Sequence, residues 1–251
     1  MKIRKKILTL LIFTLLCATA FGDENKNSSE NLKTKSEIAQ YFGVYDPWEP
    51  LNRRIYYFNC TFDKYVFLPV VDAYNLITPT FVQKGVKNFF ANSVNLTTTG
   101  NSILQTKPKK AMKAWGRFSI NATLGLFGLF DVASKLGMPK PYEDFGLTLA
   151  HYGVGDGPYL ILPFLGPSNL RDAVGSGINT YALGALDPYE AADIVDIDKP
   201  GVVALQGIDK RKNTSFRYYS SGSPFEYEYL RFFYKERYRW KLENSFNLIG
   251  G

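Results

Sequence analysis

Apolar residues recur at helical spacing through much of the chain. Ile55, Phe58, Phe62, Tyr65 and Val66 form a stripe that predicts a helix running up to Pro69. Val82, Val86, Phe89 and Phe90 form a second stripe, which begins after Pro79. A third starts at Pro108, a residue suited to a first helical turn, with Met112, Trp115 and Phe118 on one side and Lys109, Lys110 and Lys113 elsewhere. Further helices are expected over Ala173–Leu186, which is rich in Gly and Ala, and over Pro224–Leu242. The latter sets Phe225, Tyr229, Phe232, Phe233 and Trp240 among Arg231, Lys235, Arg237, Arg239 and Lys241. Strand signals are sparse, and no repeat or heptad array is present. The pattern predicts an all-α domain of amphipathic helices joined by Gly/Pro-rich loops.

Two segments break the periodicity. Leu124–Phe130, LGLFGLF, is a Gly-spaced apolar run too short to span a bilayer, and it fits a buried or re-entrant element. Phe145–Asp172 is apolar, yet Gly153, Gly155, Gly157, Pro158, Pro163, Gly166 and Pro167 interrupt it so often that no helix or strand can run through it. Backbone of this kind is usually polar and exposed. Kept apolar, it must bury itself in protein or meet something apolar.

The N-terminus reads as an export signal: a basic start (Lys2, Arg4, Lys5, Lys6), an apolar core over Ile7–Leu16 and the small-x-small pattern Ala18-Thr19-Ala20. Cleavage after Ala20 leaves 231 residues with 26 basic and 23 acidic side chains, a net charge of +3. A balance so near neutral argues against a nucleic-acid partner. Cys17 and Cys60 are the only cysteines, so no intrachain disulfide is expected in the mature chain. Cys60 reads as a small buried apolar residue. Cys17 offers a lipidation site, although Leu16 stands where a small residue normally precedes such a cysteine. The expected organisation is a signal peptide over 1–20, a polar tether over 21–44, a helical domain over 45–243 and a tail over 244–251.

Candidate chemistry is thin. His151 is the only histidine, which leaves no metal cluster and no G-x-S-x-G elbow to support a triad. Gly153-x-Gly155-x-Gly157 is followed by Pro158 and Tyr159, not by Gly-Lys-Ser/Thr, so it is no phosphate loop. The Asn-x-Ser/Thr triplets at Asn59, Asn95 and Asn121 fall within apolar periodic segments, where a glycan would not fit. Neither an enzyme nor a cofactor is expected. Aromatic residues at 16%, an export signal, non-spanning apolar segments and a cationic aromatic helix suit a membrane-interface protein, one of two readings that the pattern leaves about even. The alternative is an ordinary helical protein whose apolar faces meet one another.

Several motifs resemble the MlaA/VacJ family. They are Asp46-Pro47-Trp48-Glu49-Pro50-Leu51-Asn52-Arg53 with Phe58, Asn59 and Asp63; the run from Gly85 to Asn92; Leu104–Pro108; Gly116–Asn121; and Asp144-Phe145-Gly146 with His151–Gly155, Gly157-Pro158-Tyr159 and Leu170-Arg171-Asp172. The resemblance spans about Asp46–Tyr234. It implies a ring of helices in the inner leaflet of a Gram-negative outer membrane, facing the periplasm, with an amphipathic channel for misplaced phospholipid. It also implies trimeric-porin and periplasmic lipid-carrier partners. Lipid-passage candidates are Phe58, Asn59, His151, Gly153, Gly155, Gly157 and Pro158; membrane-embedded candidates are Leu124, Leu126, Phe127, Leu129 and Phe130. At each of these positions loop shape or helix packing is the competing explanation. Competing functions are a porin-scaffolding envelope protein with no lipid path and a periplasmic lipid hydrolase using His151.

Overall fold

The first helix does not stop where proline should stop it. In the computed structural model, which describes residues 46–185, 188–191, 197, 199–218 and 225–247, α1 (Glu49–Phe62) runs through a π-helical turn (Asp63–Phe67) into α2 (Leu68–Ile77). The Leu68 amide donates to the Asp63 carbonyl five residues back, and the α-helical pattern restarts there. Pro69 therefore falls in a first turn, where its missing N–H removes no bond. The wide turn also leaves Asp63 buried, and its carboxylate is gripped by both arms of Arg211.

The remaining elements are α3 (Thr80–Leu104), α4 (Pro108–Thr123), the short α5 (Val132–Lys135) and α6 (Phe145–His151). They are followed by strands β1 (Tyr159–Leu162) and β2 (Gly166–Asn169), then α7 (Leu170–Ala185), α8 (Pro188–Ala191), α9 (Pro200–Lys212) and α10 (Glu226–Asn247). The fold is helical, with one antiparallel hairpin as its sheet among the described residues. The interrupted stretch 145–172 thus holds a seven-residue helix and two four-residue strands that fit between its glycines and prolines. Asp131 and Asp144 cap α5 and α6, accepting from the amides of Ser134 and Leu147.

All described residues belong to one compact unit. α3 and α4 form its most extensive helix pair, joined by the tight connection Gln105–Lys107. α6 and α7 approach until Gly175 meets the backbone of Gly146; a methyl group at either position has no room. Neighbouring elements close into a circuit: α1, the π-helical turn, α2, α9, α3, α7, the β hairpin and α1 again. The helical architecture matches the all-α expectation.

The burial pattern is inverted relative to an ordinary globular protein. Among the described residues, 25 buried side chains are polar or charged and 14 are apolar, while 35 large apolar side chains are exposed. The expected stripes are periodic, but much of their apolar surface faces outward. Met112 and Trp115 of α4 are exposed, and the buried face of that helix is Ala111, Ala114, Arg117, Phe118 and Asn121. α3 buries Gln83, Asn92, Ser93, Asn95, Thr98, Asn101 and Ser102 alongside Phe90. The main buried apolar cluster is itself largely phenolic: Tyr56, Tyr159, Ile161 and Tyr227, with Tyr218 and Tyr234 against it.

Two asparagines, seven residues apart on α1, fasten the hairpin. Asn52 donates to the Tyr159 carbonyl (3.0 Å) and accepts from the Ile161 amide (2.8 Å). Asn59 donates to the Leu162 carbonyl (3.0 Å) and accepts from the Phe164 amide (2.8 Å). Each primary amide presents the donor–acceptor pair that a neighbouring strand would offer, so α1 covers the open edge of β1. Removing either amide leaves two backbone groups of the hairpin without their partner, in a buried setting at Asn52 and a part-buried one at Asn59. Asn52→Ala and Asn59→Ala are each expected to destabilise the fold by about 1–3 kcal/mol, read from urea unfolding of detergent-solubilised protein; an unchanged midpoint would refute the bracket.

Candidate functional site

The Gly-rich loop begins at the end of α6. Gly153, at φ +82°, donates to the Ala150 carbonyl, and the Val154 amide donates to the Leu149 carbonyl. These are the paired bonds of a Schellman helix end, which needs a left-handed residue at this point. Gly157, at φ +69°, lies against Leu170, where a Cβ would come within 3.1 Å. Gly155 is exposed and has open space around it. The Pro158 carbonyl accepts from the Leu170 amide (3.1 Å) and the Asp156 carbonyl from the Arg171 amide (3.2 Å), stitching the loop to the start of α7. Arg171 also donates to the Val154 carbonyl and to Tyr238. His151, half-buried at the last position of α6, packs edge-on against Tyr152.

Phe58 and Asn59 meet the far end of the same stretch. The Phe58 ring lies 5.3 Å from that of Phe164, and Asn59 holds the backbone on either side of Pro163. The structure therefore joins Phe58 and Asn59 to the hairpin tip, whereas His151, Gly153, Gly155, Gly157 and Pro158 lie before the hairpin, against α7. Leu124, Leu126, Phe127, Leu129 and Phe130 form a separate group. All five are exposed, in a compact loop after α4 that is tied to α3 by Asn88 donating to the Leu129 carbonyl (3.0 Å). Cys60 is buried, as are Asn59, Asn95 and Asn121. Cys17 lies outside the described residues.

Sequence reading missed the polar interior. Along α3, Asn101 donates to Asn179 of α7 (3.0 Å) and accepts from Thr148 of α6 (2.9 Å), and Gln105 donates to Thr148 and Glu143 (both 3.0 Å). Helices held by amides and hydroxyls instead of apolar contacts are expected where the surroundings are themselves apolar. The signal was present as uncharged polar residues at 92, 95, 98, 101, 102 and 105, a helical period without apolar members.

One knot of charge completes this interior. Glu143, fully buried, receives Lys110 (2.5 Å), Lys107 (3.1 Å) and the Ser245 hydroxyl (2.9 Å), drawing the start of α4 and the end of α10 together. Burial alone would raise its pKa, but the two ammonium groups outweigh burial and hold the carboxyl below its usual range. Nearby, burial raises the Asp172 carboxyl despite Lys241. At the base of the apolar loop, burial of Asp131 is outweighed by Lys140, Ser134 and Asn121, which hold its carboxyl well below the usual range. Among the described residues no group of His, Cys, Asp and Glu has the geometry of a metal site.

The described residues make a helical body with a polar, amide-rich interior and many exposed apolar side chains, and none of their helices is long and apolar enough to cross a membrane. The chain belongs to the MlaA lipoprotein family, whose pattern matches residues 44–241. It is 39% identical over 193 residues to an uncharacterized protein of Rickettsia prowazekii, covering 73% of this chain and 75% of the relative. It is 41% identical over 138 residues to the intermembrane phospholipid transport system lipoprotein MlaA of Escherichia coli, covering 53% of this chain and 55% of the relative. A solved structure described as the structural basis for maintenance of bacterial outer membrane lipid asymmetry superimposes with a TM-score of 0.54 at 31% identity. That match covers 74% of this chain and 98% of the other.

The Glu143 knot has a pH signature. A depressed folded value means its contribution is fully present above about pH 4.5, the ordinary Glu value, and is lost as pH falls through the folded value. Glu143→Gln is expected to lower stability at neutral pH by roughly 3 kcal/mol and to flatten this part of the acid limb, read from unfolding midpoints across pH. The glycines differ among themselves. Gly153→Ala should cost about 1–2 kcal/mol, the strain of a left-handed residue with open space around it. Gly125→Ala should cost more than Gly153→Ala, because its Cβ would collide with the carbonyl oxygens of Asn121 and Phe130. Equal unfolding midpoints for the two variants would refute that ordering.

Proposed function

We propose that the protein is an outer-membrane phospholipid-transport component that gives misplaced phospholipid a polar route out of the outer leaflet toward a periplasmic carrier. The observation that carries this reading is the inverted burial: polar and charged side chains are buried between the helices, while many large apolar side chains face outward. A body of this kind sits in one leaflet with its exposed Leu, Phe and Trp against acyl chains. Moving a zwitterionic or anionic headgroup through hydrocarbon is opposed by the loss of its hydration. A passage bordered by amide and hydroxyl groups would replace part of that hydration, while the acyl chains keep apolar contact outside. No bond is made or broken, so net flow follows the lipid gradient and the affinity of the carrier.

Within this reading the Gly-rich loop and the Asn-bracketed hairpin are positioning elements. They fix the α1–hairpin–α7 part of the circuit, so Phe58, Asn59, His151, Gly153, Gly155, Gly157 and Pro158 act through its shape. A trimeric porin is the proposed outer-membrane companion, and the names of the relatives in a phospholipid transport system support the lipid substrate. Loss of the protein is expected to raise phospholipid in the outer leaflet, and lipid carrying a photoreactive group should label the full chain in envelopes. Labelling of a porin partner without labelling of this chain would overturn the proposal in favour of a scaffold.

A further inference from the structure

Two carboxylates and one lysine meet where the last helix crosses the starts of α6 and α7. Asp144 caps α6, Asp172 lies in the first turn of α7, and Lys241 reaches them from α10. The partners are shared unequally. Asp144 accepts from the Leu147 amide (2.8 Å), the Tyr142 hydroxyl (2.9 Å) and Lys241 (2.6 Å). Asp172 Oδ2 has the Tyr234 hydroxyl at 3.5 Å and Lys241 at 3.9 Å. Its other oxygen, Oδ1, is buried without a hydrogen-bond partner.

The two acids crowd the same glycine. A Cβ at Gly146 would lie 2.5 Å from Asp172 Oδ1 and 3.2 Å from Asp144 Oδ1, so the like charges are close neighbours. The Asp172 side chain is 14% exposed, which leaves little water to screen them. The surrounding elements offer little relief. Arg171 turns to the Val154 carbonyl and Tyr238, and Asn169 of β2 accepts from the Asp172 amide. β1 sets Tyr159 edge-on to Tyr234, α3 offers the uncharged Asn101 to α7, and His151 lies at the far end of α6. α10 adds Tyr238 beside Tyr234, and Arg237 acts on Tyr142. Among the described residues, Lys241 is the one cation within 4 Å of both acids.

We propose that Asp144, Asp172 and Lys241 form a proton-responsive joint: with both acids charged one carboxylate lacks a cation of its own, and proton uptake by Asp172 removes the excess charge and tightens α10 against α6 and α7. Burial, assisted by Asp144 and opposed by Lys241, raises the Asp172 carboxyl from its ordinary value. A raised folded value means that ionised Asp172 works against the fold. That penalty is full above the folded value and is relieved as pH falls through it toward 3.8, the ordinary Asp value. The sign is opposite to that of Glu143, whose contribution is lost in acid. α10 is thus fastened at two places with opposing responses, at Lys241 and at Ser245. The joint is independent of any route that lipid takes through the protein.

The test is amide hydrogen exchange of the full detergent-solubilised chain at about pH 8 and about pH 5.5, corrected for the intrinsic exchange rate at each pH. Peptides covering 234–241 should gain protection several-fold at the lower pH. Asp172→Asn, uncharged at both values, should show the higher protection throughout. Asp144→Asn keeps a capping side chain for α6 and should also flatten the response, because one lysine then faces one carboxylate. Lys241→Gln should lower protection at the higher pH and widen the gap between the two. Circular dichroism matched to the parent shows that each variant folds. Protection of 234–241 that does not change with pH in the parent, or a pH response that survives unaltered in both Asp→Asn variants, would overturn the proposal.

Discussion

The fold depends on one substitution of partners: amide and hydroxyl side chains do the hydrogen bonding that water does in an ordinary protein. Asn52 and Asn59 stand in for a strand beside β1. Asn101, Thr148 and Gln105 join three helices where leucines would be expected. Each bond adds only about 1 kcal/mol net, but leaving a buried partner unmatched costs more, so the arrangement is specified by what it forbids. Sliding one helix past another would break several matched pairs at once. An apolar core tolerates such slippage far better.

That substitution frees the apolar side chains for the outside. Trp115, Met112, Phe233 and Trp240 are exposed on helices whose inner faces are already satisfied by polar groups. Exposed apolar area on this scale drives association in water. Against acyl chains it is neutral, while inside the fold Tyr227 donates to Asp46 (2.5 Å) and Tyr238 accepts from Arg171. The family to which the chain belongs, and the lipid-transport names of its relatives, follow the same physics.

Helix positions were legible in the sequence because the 3.6-residue period is the same whichever way a stripe points. Pro79 and Pro108 placed the starts of α3 and α4, and the Gly/Ala-rich run placed α7. What periodicity does not report is polarity of the surroundings, so Met112 and Trp115 were readable as helical but not as outward-facing. Pro69 misled for a local reason: a π-helical turn resets the hydrogen-bond register just ahead of it. The short strands escaped notice because their apolar residues, Tyr159–Leu162, are framed by glycine and proline on both sides. Gly153 and Gly157, singled out by their spacing, hold left-handed backbone, whereas Asn52 and Glu143 act through partners about 110 and 40 residues away in the chain, which no local pattern discloses.

The knot of Lys107, Glu143 and Ser245 ties together parts of the chain that are made at very different times. So do Arg53 with Glu228 and Arg231 with Asp46, across 175 and 185 residues. Until α10 emerges, the start of α1 lacks charged partners, and the start of α4 lacks the Ser245 hydroxyl and carbonyl, that each has in the finished fold. A chain leaving a ribosome or threading a translocation pore therefore cannot complete its structure early. The last helix acts as a clasp between the start of α1 and the start of α4.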